Sequence, residues 1–214
     1  MVWPEMFMGP CTGSIIFTVK GAIKLPVDKS TFSLNCWITF QYISGMLING
    51  GGTFDGQGHL VNSKNFHFVL FSCNALEFSG VRITARGNSP KTDGIHIGYS
   101  SCIKIADSMI STQDDCISIG LGSKDVEIAG VHCRLGHGFS LGSLRKYPNE
   151  ADVTGLSVRG CPMVGTQNGG GIKTWASGVK RNAYNLSIDD ITMKDVQSPI
   201  IIDQEYCPGG GCSK

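Results

Sequence analysis

Short runs in which apolar and polar residues alternate recur along the chain, between turns rich in Gly, Ser, Asn and Asp. One series, VRI, IKI, VEI, LSV and LSI, starts at positions 81, 103, 126, 156 and 186, and a second, IHI, ISI and FSL, starts at positions 95, 117 and 139. Alternation with period two predicts half-buried strands, and no run of helical periodicity interrupts it. Two strands per repeat predict an all-β fold, a right-handed parallel β-helix.

The repeat also predicts a column of polar side chains. Coils of such a solenoid stack about 4.8 Å apart, so residues that share an offset become neighbours in space. The position two residues before each run of the second series holds Asp93, Asp115 and His137 in turn. Asp114 falls at the bend just before Asp115, and the alternation of the next coil turns Lys173 outward. We therefore expect three carboxylates, a histidine and a lysine along one edge of adjacent coils.

The chemistry of this column distinguishes two interpretations. Like charges about 5 Å apart repel and raise each other's pKa values, so a purely structural carboxylate column is costly. Cleavage of a glycosidic bond needs one protonated carboxyl for the leaving oxygen and one ionised carboxylate for the water or the sugar. Crowded aspartates beside a cation can supply both states at one pH. The alternative is a polar ladder of turn residues, solvated at the edge of the coils.

Composition narrows the class of protein to which the chain can belong. Glycine supplies 29 of 214 residues and charged residues 16%, against about 25% in an average domain, which agrees with a turn-rich β protein. The formal net charge of +1 argues against bulk nucleic-acid binding. No apolar run approaches the ~18 residues of a membrane helix. We expect one domain over residues 1–214, a partial β-helix without a membrane segment.

The nine cysteines favour disulfides in an oxidising compartment, because no CxxC pair indicates a zinc ribbon or a redox site. Asn185 begins a possible glycosylation sequon. Both features predict a secreted protein. The first residues have neither the basic start nor the apolar stretch of a signal peptide, so we expect that the N-terminus is truncated.

Five motifs resemble one known family. They are SPKTDGIHI (89–97), TQDDCISI (112–119), GHGFSLGSLR (136–145), NGGGIKTW (168–175) and PIIIDQEYC (199–207). Together, and in this order, they resemble the polygalacturonases of glycoside hydrolase family 28, nearest to the plant enzymes. The resemblance implies a single-stranded, pectin-lyase-like β-helix that hydrolyses α-1,4-linked galacturonate in pectin with inversion. It also implies a secreted monomer of the cell wall with no cofactor and no metal.

The resemblance implies the roles of four catalytic residues. Asp114 would be the general acid, and Asp93 and Asp115 would activate the water. His137 would tune the protonation of the acid. This division agrees with the repeat, which pairs Asp93 with Asp115 and sets Asp114 apart.

Substrate binding is implied for Lys173, which would meet a sugar carboxylate, and for Tyr206. Three positions depart from the family pattern. Gly171 stands where the family has arginine, Lys91 replaces an asparagine, and Gln113 replaces a glycine at the bend. Loss of the arginine removes a planar fork for a carboxylate. Endo and exo attack both stay open, because the loops that close the ends of a groove decide between them.

Two segments are shorter than the family pattern. Only residues 59–62 separate two motifs that the family spaces by about one further coil, and the chain stops just after the last motif. We therefore expect that C-terminal coils are missing. A catalytically impaired pectin-binding relative, or an incomplete gene product, is the alternative to a working hydrolase.

Two disulfides are expected. The resemblance implies a bond between Cys116 and Cys133, on neighbouring coils, and Cys207 with Cys212 would close a Gly-rich step that can cap a coil. The pairing of the other five cysteines stays open.

Three motifs suggest other chemistry. GFSLG spells a serine-hydrolase elbow, but Ser140 lies in a repeating strand, and the elbow needs a strand, a tight turn and a helix. Cys133 and His137 beside the aspartates imitate a zinc site, which the expected disulfide excludes. GGGTFDGQG occurs once, so it indicates a turn and not an array of calcium repeats.

Some surface residues keep two interpretations. Arg134, Arg145 and Lys146 are either scattered surface charge or cations that hold an anionic sugar polymer along a groove. Trp175 either packs beside its strand or stacks on a sugar ring.

Overall fold

The structure is a computed structural model that describes residues 1–26, 36–57, 66–85, 92–176, 180–208, 210 and 212. Position 91 and positions 59–62, where the sequence departs from the family pattern, lie outside the described residues. In chain order the strands are β1 (Glu5–Met8), β2 (Ile15–Thr18), β3 (Ala22–Lys24), β4 (Cys36–Gln41), β5 (Ser44–Asn49), β6 (Thr53–Asp55), β7 (Phe66–Phe71), β8 (Asn74–Ser79), β9 (Arg82–Thr84), β10 (Asp93–Gly98), β11 (Ser101–Ala106), β12 (Met109–Ser111), β13 (Asp115–Ile119), β14 (Lys124–Ala129), β15 (His132–Arg134), β16 (Gly138–Leu144), β17 (Val153–Arg159), β18 (Met163–Val164), β19 (Asn168–Thr174), β20 (Ala183–Asp189), β21 (Met193–Lys194) and β22 (Ser198–Asp203).

The strands form three parallel sheets that run the length of a solenoid. Sheet A has the order β1-β4-β7-β10-β13-β16-β19-β22, sheet B the order β2-β5-β8-β11-β14-β17-β20, and sheet C the order β3-β6-β9-β12-β15-β18-β21. Each strand pairs with the strands three places before and after it in the chain, so one coil contributes one strand to each sheet. The predicted all-β, right-handed parallel β-helix is confirmed.

The core lies inside the solenoid, where alternate residues of all three sheets stack in columns. Ile95 pairs with Ile117 in sheet A, and Ile117 pairs with Phe139. These side chains are 3% exposed or less, and each stabilises the fold by roughly 1.5–3 kcal/mol through burial. The same alternation turns the next residue of each strand outward. The outward side of sheet A therefore carries the row His96, Ser118 and Ser140, and Asp93 and Asp115 lie at the starts of their strands.

The predicted repeat is right in its second series and wrong in one member of its first. The IKI, VEI, LSV and LSI runs stack in sheet B, as expected. Their partner in the preceding coil is Leu76, whereas the VRI run belongs largely to β9 of sheet C. The prediction of two strands per coil is therefore wrong, since each full coil has three. The strands of sheet C have only two or three residues, which is too short for an alternation to be recognised in the sequence.

Both predicted disulfides are present. Cys116 in β13 of sheet A bonds to Cys133 in β15 of sheet C, and Cys207 bonds to Cys212. The expected placement of Cys116 and Cys133 on neighbouring coils is wrong, because β13 and β15 belong to one coil. The bond links the strand that follows Asp114 to the strand that precedes the turn with His137. None of the described residues forms a helix long and apolar enough to cross a membrane.

Candidate active site

A cavity of about 320 Å³ opens on the outward side of sheet A, over β10, β13, β16 and β19. Five of the six predicted site residues line it. The complete lining is Phe66, Asp93, His96, Asp114, Asp115, Ser118, Ser140, Gly142, Ser143, Lys173 and Tyr206. The sixth predicted residue, His137, lies behind Asp114.

His137 and Asp114 form a close pair at the rim. Nδ1 of His137 lies 2.8 Å from Oδ1 of Asp114, which also accepts the backbone N–H of Asp115 at 3.0 Å. Both contacts use Oδ1, so Oδ2 is the oxygen of Asp114 that neither contact occupies. The hydrogen bond to Asp114 raises the pKa of His137 despite partial burial. Burial opposes ionisation of Asp114, but the hydrogen bond and charge of His137 leave its pKa below the ordinary range.

Two glycines allow this close approach. Gly136 has a φ of +66°, and a Cβ there would lie 2.1 Å from the carbonyl oxygen of Asp114. Gly138 has a φ of +77°, and a Cβ there would lie 2.1 Å from the carbonyl oxygen of Asn168. Only glycine adopts these angles readily and leaves the space open. The glycines on either side of His137 therefore let the backbone approach the carbonyl groups of both neighbouring coils.

An irregularity in sheet A changes the predicted alignment by one residue. Asp115 pairs with Gly138, and the register shifts between Asp115 and Ile117. His137 therefore does not continue the Asp93 and Asp115 column, as the repeat predicted. A bulge re-aims a side chain in this way, and here it brings His137 to Asp114.

Lys173 contacts Asp115 across the width of β16. Its Nζ lies 3.0 Å from both carboxylate oxygens of Asp115. Burial raises the pKa of Asp115, Lys173 opposes that rise, and Asp114 adds to it. Burial opposes the charge of Lys173, but Asp115 raises its pKa above the ordinary value. The two side chains thus form a nearly buried ion pair at the floor of the cavity.

Asp93 lies in surroundings that favour its protonated form. It is only 8% exposed, and burial, followed by the charges of Asp115 and Asp114, raises its pKa well above the ordinary range. A hydrogen bond from Ser118 and the charge of Lys173 oppose this rise. The column thus contains carboxyls whose pKa values lie on opposite sides of the ordinary aspartate value, as acid–base chemistry at one site requires.

Tyr206 closes the side of the cavity next to Lys173. Nζ of Lys173 lies 5.6 Å from the centre of the Tyr206 ring, and burial raises the pKa of the phenol. The ring of Trp175 meets Tyr206 edge-on at 6.1 Å, and Lys146 lies 5.0 Å from the centre of Trp175. Trp175 therefore supports Tyr206 and does not line the cavity. Arg134, Arg145 and Lys146 also lie outside the lining.

The arrangement argues against the two other kinds of site that the sequence suggested. Asp114, Asp115 and His137 present ligand atoms within 4.8 Å of one another, a set that could hold a cation. Lys173 already occupies both oxygens of Asp115, and Cys133 is in a disulfide, so this donor set does not fit a metal ion. The buried hydroxyl of Ser140 has no hydrogen-bond partner in the described part of the chain, so no base activates it as a nucleophile.

Sequence reasoning missed two residues of the cavity that contact a carboxylate directly or through one hydroxyl. Ser118 donates to Oδ2 of Asp93 at 2.7 Å, and Nδ1 of His96 lies 2.8 Å from the Ser118 hydroxyl oxygen. The available signal was the shared offset of His96, Ser118 and Ser140, which marks them as one outward row over the column.

Comparison with sequence families gives one match that covers most of the chain. The profile described as "Glycosyl hydrolases family 28" matches residues 59–214. An exopolygalacturonase of Platanus acerifolia is 41% identical over 96% of this chain and 64% of its own length. A polygalacturonase of Medicago sativa is 38% identical over 96% of this chain and 59% of its own length. The chain thus spans somewhat less than two thirds of these relatives.

Solved structures with the same fold are more distant in sequence. An endo-xylogalacturonan hydrolase from Aspergillus tubingensis superposes with a TM-score of 0.77 at 18% identity, over 96% of this chain and 68% of that one. A polygalacturonase from Erwinia carotovora superposes with a TM-score of 0.65 at 22% identity, over 94% of this chain and 70% of that one. These similarities confirm the β-helix.

Proposed function

Because the chain belongs to glycosyl hydrolase family 28, we propose that its cavity hydrolyses α-1,4-galacturonosidic bonds of polygalacturonate with inversion. One observation carries the proposal: three aspartates with divergent pKa values line a cavity that also presents the ammonium group of Lys173. A galacturonate unit carries a carboxylate, which pairs favourably with that cation. The polygalacturonase names of the plant relatives support the same substrate class.

The proposed acid is the pair of Asp114 and His137. We place the proton of the free protein on Nδ1 of His137, hydrogen-bonded to an ionised Asp114, because the pair raises the pKa of His137 and lowers that of Asp114. As the bond between the anomeric carbon and the leaving oxygen breaks, Asp114 takes up the Nδ1 proton of His137 and a proton passes from its carboxyl to that oxygen, which leaves His137 neutral and Asp114 ionised. The pair ends with one proton fewer, which solvent restores. General acid catalysis of this kind contributes about 10²- to 10⁴-fold to the rate.

The proposed base is formed by Asp93 and Asp115. One of these carboxylates takes a proton from water as the oxygen of that water attacks the anomeric carbon from the face opposite the leaving group. Lys173 keeps Asp115 ionised, which concentrates negative charge beside Asp93. Proton uptake by Asp93 relieves that repulsion, because Asp115 and Asp114 both favour its protonated form.

Lys173 and Tyr206 are proposed to bind the sugar that occupies the cavity. The ammonium group meets a sugar carboxylate or a ring hydroxyl, and the phenol of the neighbouring Tyr206 donates or accepts a hydrogen bond. Since Lys173 also pairs with Asp115, the same cation couples substrate binding to the charge of the base.

The experiment is a reducing-sugar assay of the purified chain on polygalacturonate, with Asp114→Asn as the background control. New reducing ends with the wild-type chain alone would support the proposal, and monomer or mixed oligomers among the products would identify exo or endo attack. Proton NMR of the first product should show the β-anomer, since inversion of an α-linkage gives it. An initial α-anomer would contradict inversion.

The alternative, binding of pectin without hydrolysis, is not favoured by the family match or by the polygalacturonase relatives. Gly171 provides no side chain where the family pattern has an arginine, which weakens the hold on a sugar carboxylate. Binding of polygalacturonate with no increase in reducing ends would support this second function and contradict the first.

A secreted, monomeric protein of the cell wall is the proposed setting. Two disulfides suit an oxidising compartment, and pectin is a polymer found outside the cell. Sedimentation of the full chain tests the monomer, and detection of the tagged protein in culture medium or cell wall, against its retention in the cell, tests secretion.

A further inference from the structure

His96 and Ser118 connect to Asp93 through two short hydrogen bonds. Ser118 lies opposite His96 on the neighbouring strand of sheet A, and both residues face the cavity. Oγ of Ser118 lies 2.7 Å from Oδ2 of Asp93, and Nδ1 of His96 lies 2.8 Å from Oγ of Ser118. Asp93 and Ser118 are 8% and 3% exposed, so water competes little for these bonds.

When Asp93 is ionised, the number of available hydrogens determines which atom donates in each of the two hydrogen bonds. A serine hydroxyl has one hydrogen, and here Asp93 accepts it. The second hydrogen bond to the same oxygen must therefore come from Nδ1–H of His96. His96 is then neutral, with its proton on Nδ1, and burial lowers its pKa to about 4, which agrees with a neutral ring.

We propose that His96 and Ser118 are positioning residues that hold Oδ2 of Asp93 in a fixed hydrogen bond and so leave Oδ1 to face the attacking water. The proposal rests on the proposed function in one respect, that Asp93 acts on water. His96 acts through Ser118, because its Nδ1–H stops the hydroxyl from rotating away from Asp93. An oriented carboxylate accelerates proton transfer by restricting the geometry of attack.

The same bond influences the charge state of Asp93. The groups that face Asp93 are Asp114, Asp115, Lys173, Ser118 and, across the cavity, Tyr206, while His67 contacts its backbone carbonyl at 3.0 Å. Burial and the two aspartates raise the pKa of Asp93, whereas Ser118 and Lys173 lower it. Loss of the Ser118 bond therefore raises the pKa further. Since the base must be ionised, the acidic limb of the activity profile then moves to higher pH.

The packing role of His96 has to be separated from its hydrogen bond. The imidazole lies against Phe66, with ring centres 4.7 Å apart. His96→Phe keeps an aromatic ring there and removes Nδ1, whereas His96→Asn removes the ring and keeps an N–H donor near the Nδ1 position. Ser118→Ala removes the hydroxyl, and Ser118→Thr keeps it.

The kinetic test compares these four variants with the wild-type chain on polygalacturonate over a range of pH. We expect His96→Phe and Ser118→Ala to lower kcat about fivefold to tenfold, with little change in KM and an acidic limb at higher pH. His96→Asn and Ser118→Thr should retain most of the activity and the wild-type limb. If His96→Phe behaves as wild type while His96→Asn fails, the role of His96 is packing and the proposal is wrong.

A second measurement does not depend on activity. Nitrogen-15 NMR of the labelled full chain distinguishes Nδ1–H from Nε2–H in a neutral histidine. His96 should be the Nδ1–H tautomer where Asp93 is ionised, and Ser118→Ala should reduce that population while Ser118→Thr keeps it. An Nε2–H tautomer in the wild type would mean that Ser118 donates to His96 and not to Asp93, which overturns the proposal. A wild-type chain that shows the Nδ1–H tautomer and releases no reducing ends would instead contradict the proposed function alone.

Discussion

The imidazole of His137 and the carboxyl of Asp114 form a close hydrogen-bonded pair. Their nearest atoms, Nδ1 and Oδ1, lie 2.8 Å apart, and the pair raises the pKa of His137 while it lowers that of Asp114. An isolated aspartate would lose its proton well below neutral pH, and so would be a poor acid there. The pair therefore retains a proton to higher pH than an isolated aspartate would. It also holds that proton where it can reach the leaving oxygen.

Replacement of Asp114 by asparagine should abolish turnover, because an amide has no acidic proton to give the leaving oxygen. We expect kcat to fall by about 10²- to 10⁴-fold while the affinity for polygalacturonate changes little. Reducing-sugar release and equilibrium binding measure the two quantities. Asp190→Asn, at an exposed position remote from the cavity, is the control and should match the wild type. Turnover that survives in Asp114→Asn would assign the acid to another residue.

Replacement of His137 by glutamine should move the alkaline limb of activity to lower pH. The active acid is the protonated pair, so activity declines as pH rises through the pKa of His137, which lies above the ordinary value of about 6.5. Without the imidazole the proton must reside on Asp114 itself, whose pKa is lower. The pH dependence of kcat/KM measures the shift. His132→Gln, at an exposed histidine of sheet C, should leave the limb in place, and an unmoved limb in His137→Gln would exclude the shared proton.

The sequence predicted the fold and most of the site, because both depend on period-two alternation. A residue of one coil lies beside the residue at the same offset in the next, so Asp93 and Asp115 could be brought together without coordinates. Lys173 could be placed on the outward side by the alternation of its own coil. The offset of His137 could not be predicted, because the bulge at Asp115 depends on how two glycines pack against carbonyl groups of adjacent coils.

Two further features were beyond the sequence for a related reason. The strands of sheet C are too short for an alternation to show, so the third sheet was not predicted. The bonds among His96, Ser118 and Asp93 depend on side-chain torsions, which a repeat does not specify. Register can be inferred from a repeat, whereas hydrogen bonds between neighbouring outward side chains need the structure.

Replacement of Lys173 by methionine should impair both binding and the base. The ammonium group lowers the pKa of Asp115 and of Asp93, so its loss raises both values and moves the acidic limb of activity to higher pH. Loss of a charge-assisted hydrogen bond to substrate should raise KM about tenfold or more. Initial rates across substrate concentration and pH give both effects. Lys124→Met, at an exposed position, is the control, and an unchanged acidic limb in Lys173→Met would contradict the coupling.

Removal of the bond between Cys116 and Cys133 should destabilise the solenoid. A bond that closes a loop of sequence separation 17 is worth about 3 kcal/mol by restricting the unfolded chain. Alanine at both positions avoids burying two hydroxyls, and urea unfolding measures the change in the free energy of unfolding. Alanine at Cys207 and Cys212, which are five residues apart, should cost less. An equal or larger loss in this second variant would contradict the loop-length argument.

Replacement of Gly171 by arginine should strengthen substrate binding. Gly171 lies between Ser140 and Ile201 in the outward row of sheet A, next to Lys173, so a side chain there extends toward the cavity. A Cβ at this position would lie 3.3 Å from Cγ2 of Ile201, which is itself partly exposed and can give way by a few tenths of an ångström.

The guanidinium group would add a planar, always-charged fork for a sugar carboxylate, worth roughly 1.5–3 kcal/mol, or about tenfold or more in affinity. Gly171→Ala measures the cost of the added carbon alone, and Gly171→Lys adds charge without the fork, so both should bind less tightly than Gly171→Arg. Calorimetric titration with an oligogalacturonate, in the Asp114→Asn background that blocks turnover, gives the affinities. If Gly171→Arg binds no better than Gly171→Ala, this position does not meet the substrate carboxylate, and the departure from the family pattern at Gly171 does not weaken the hold on the sugar.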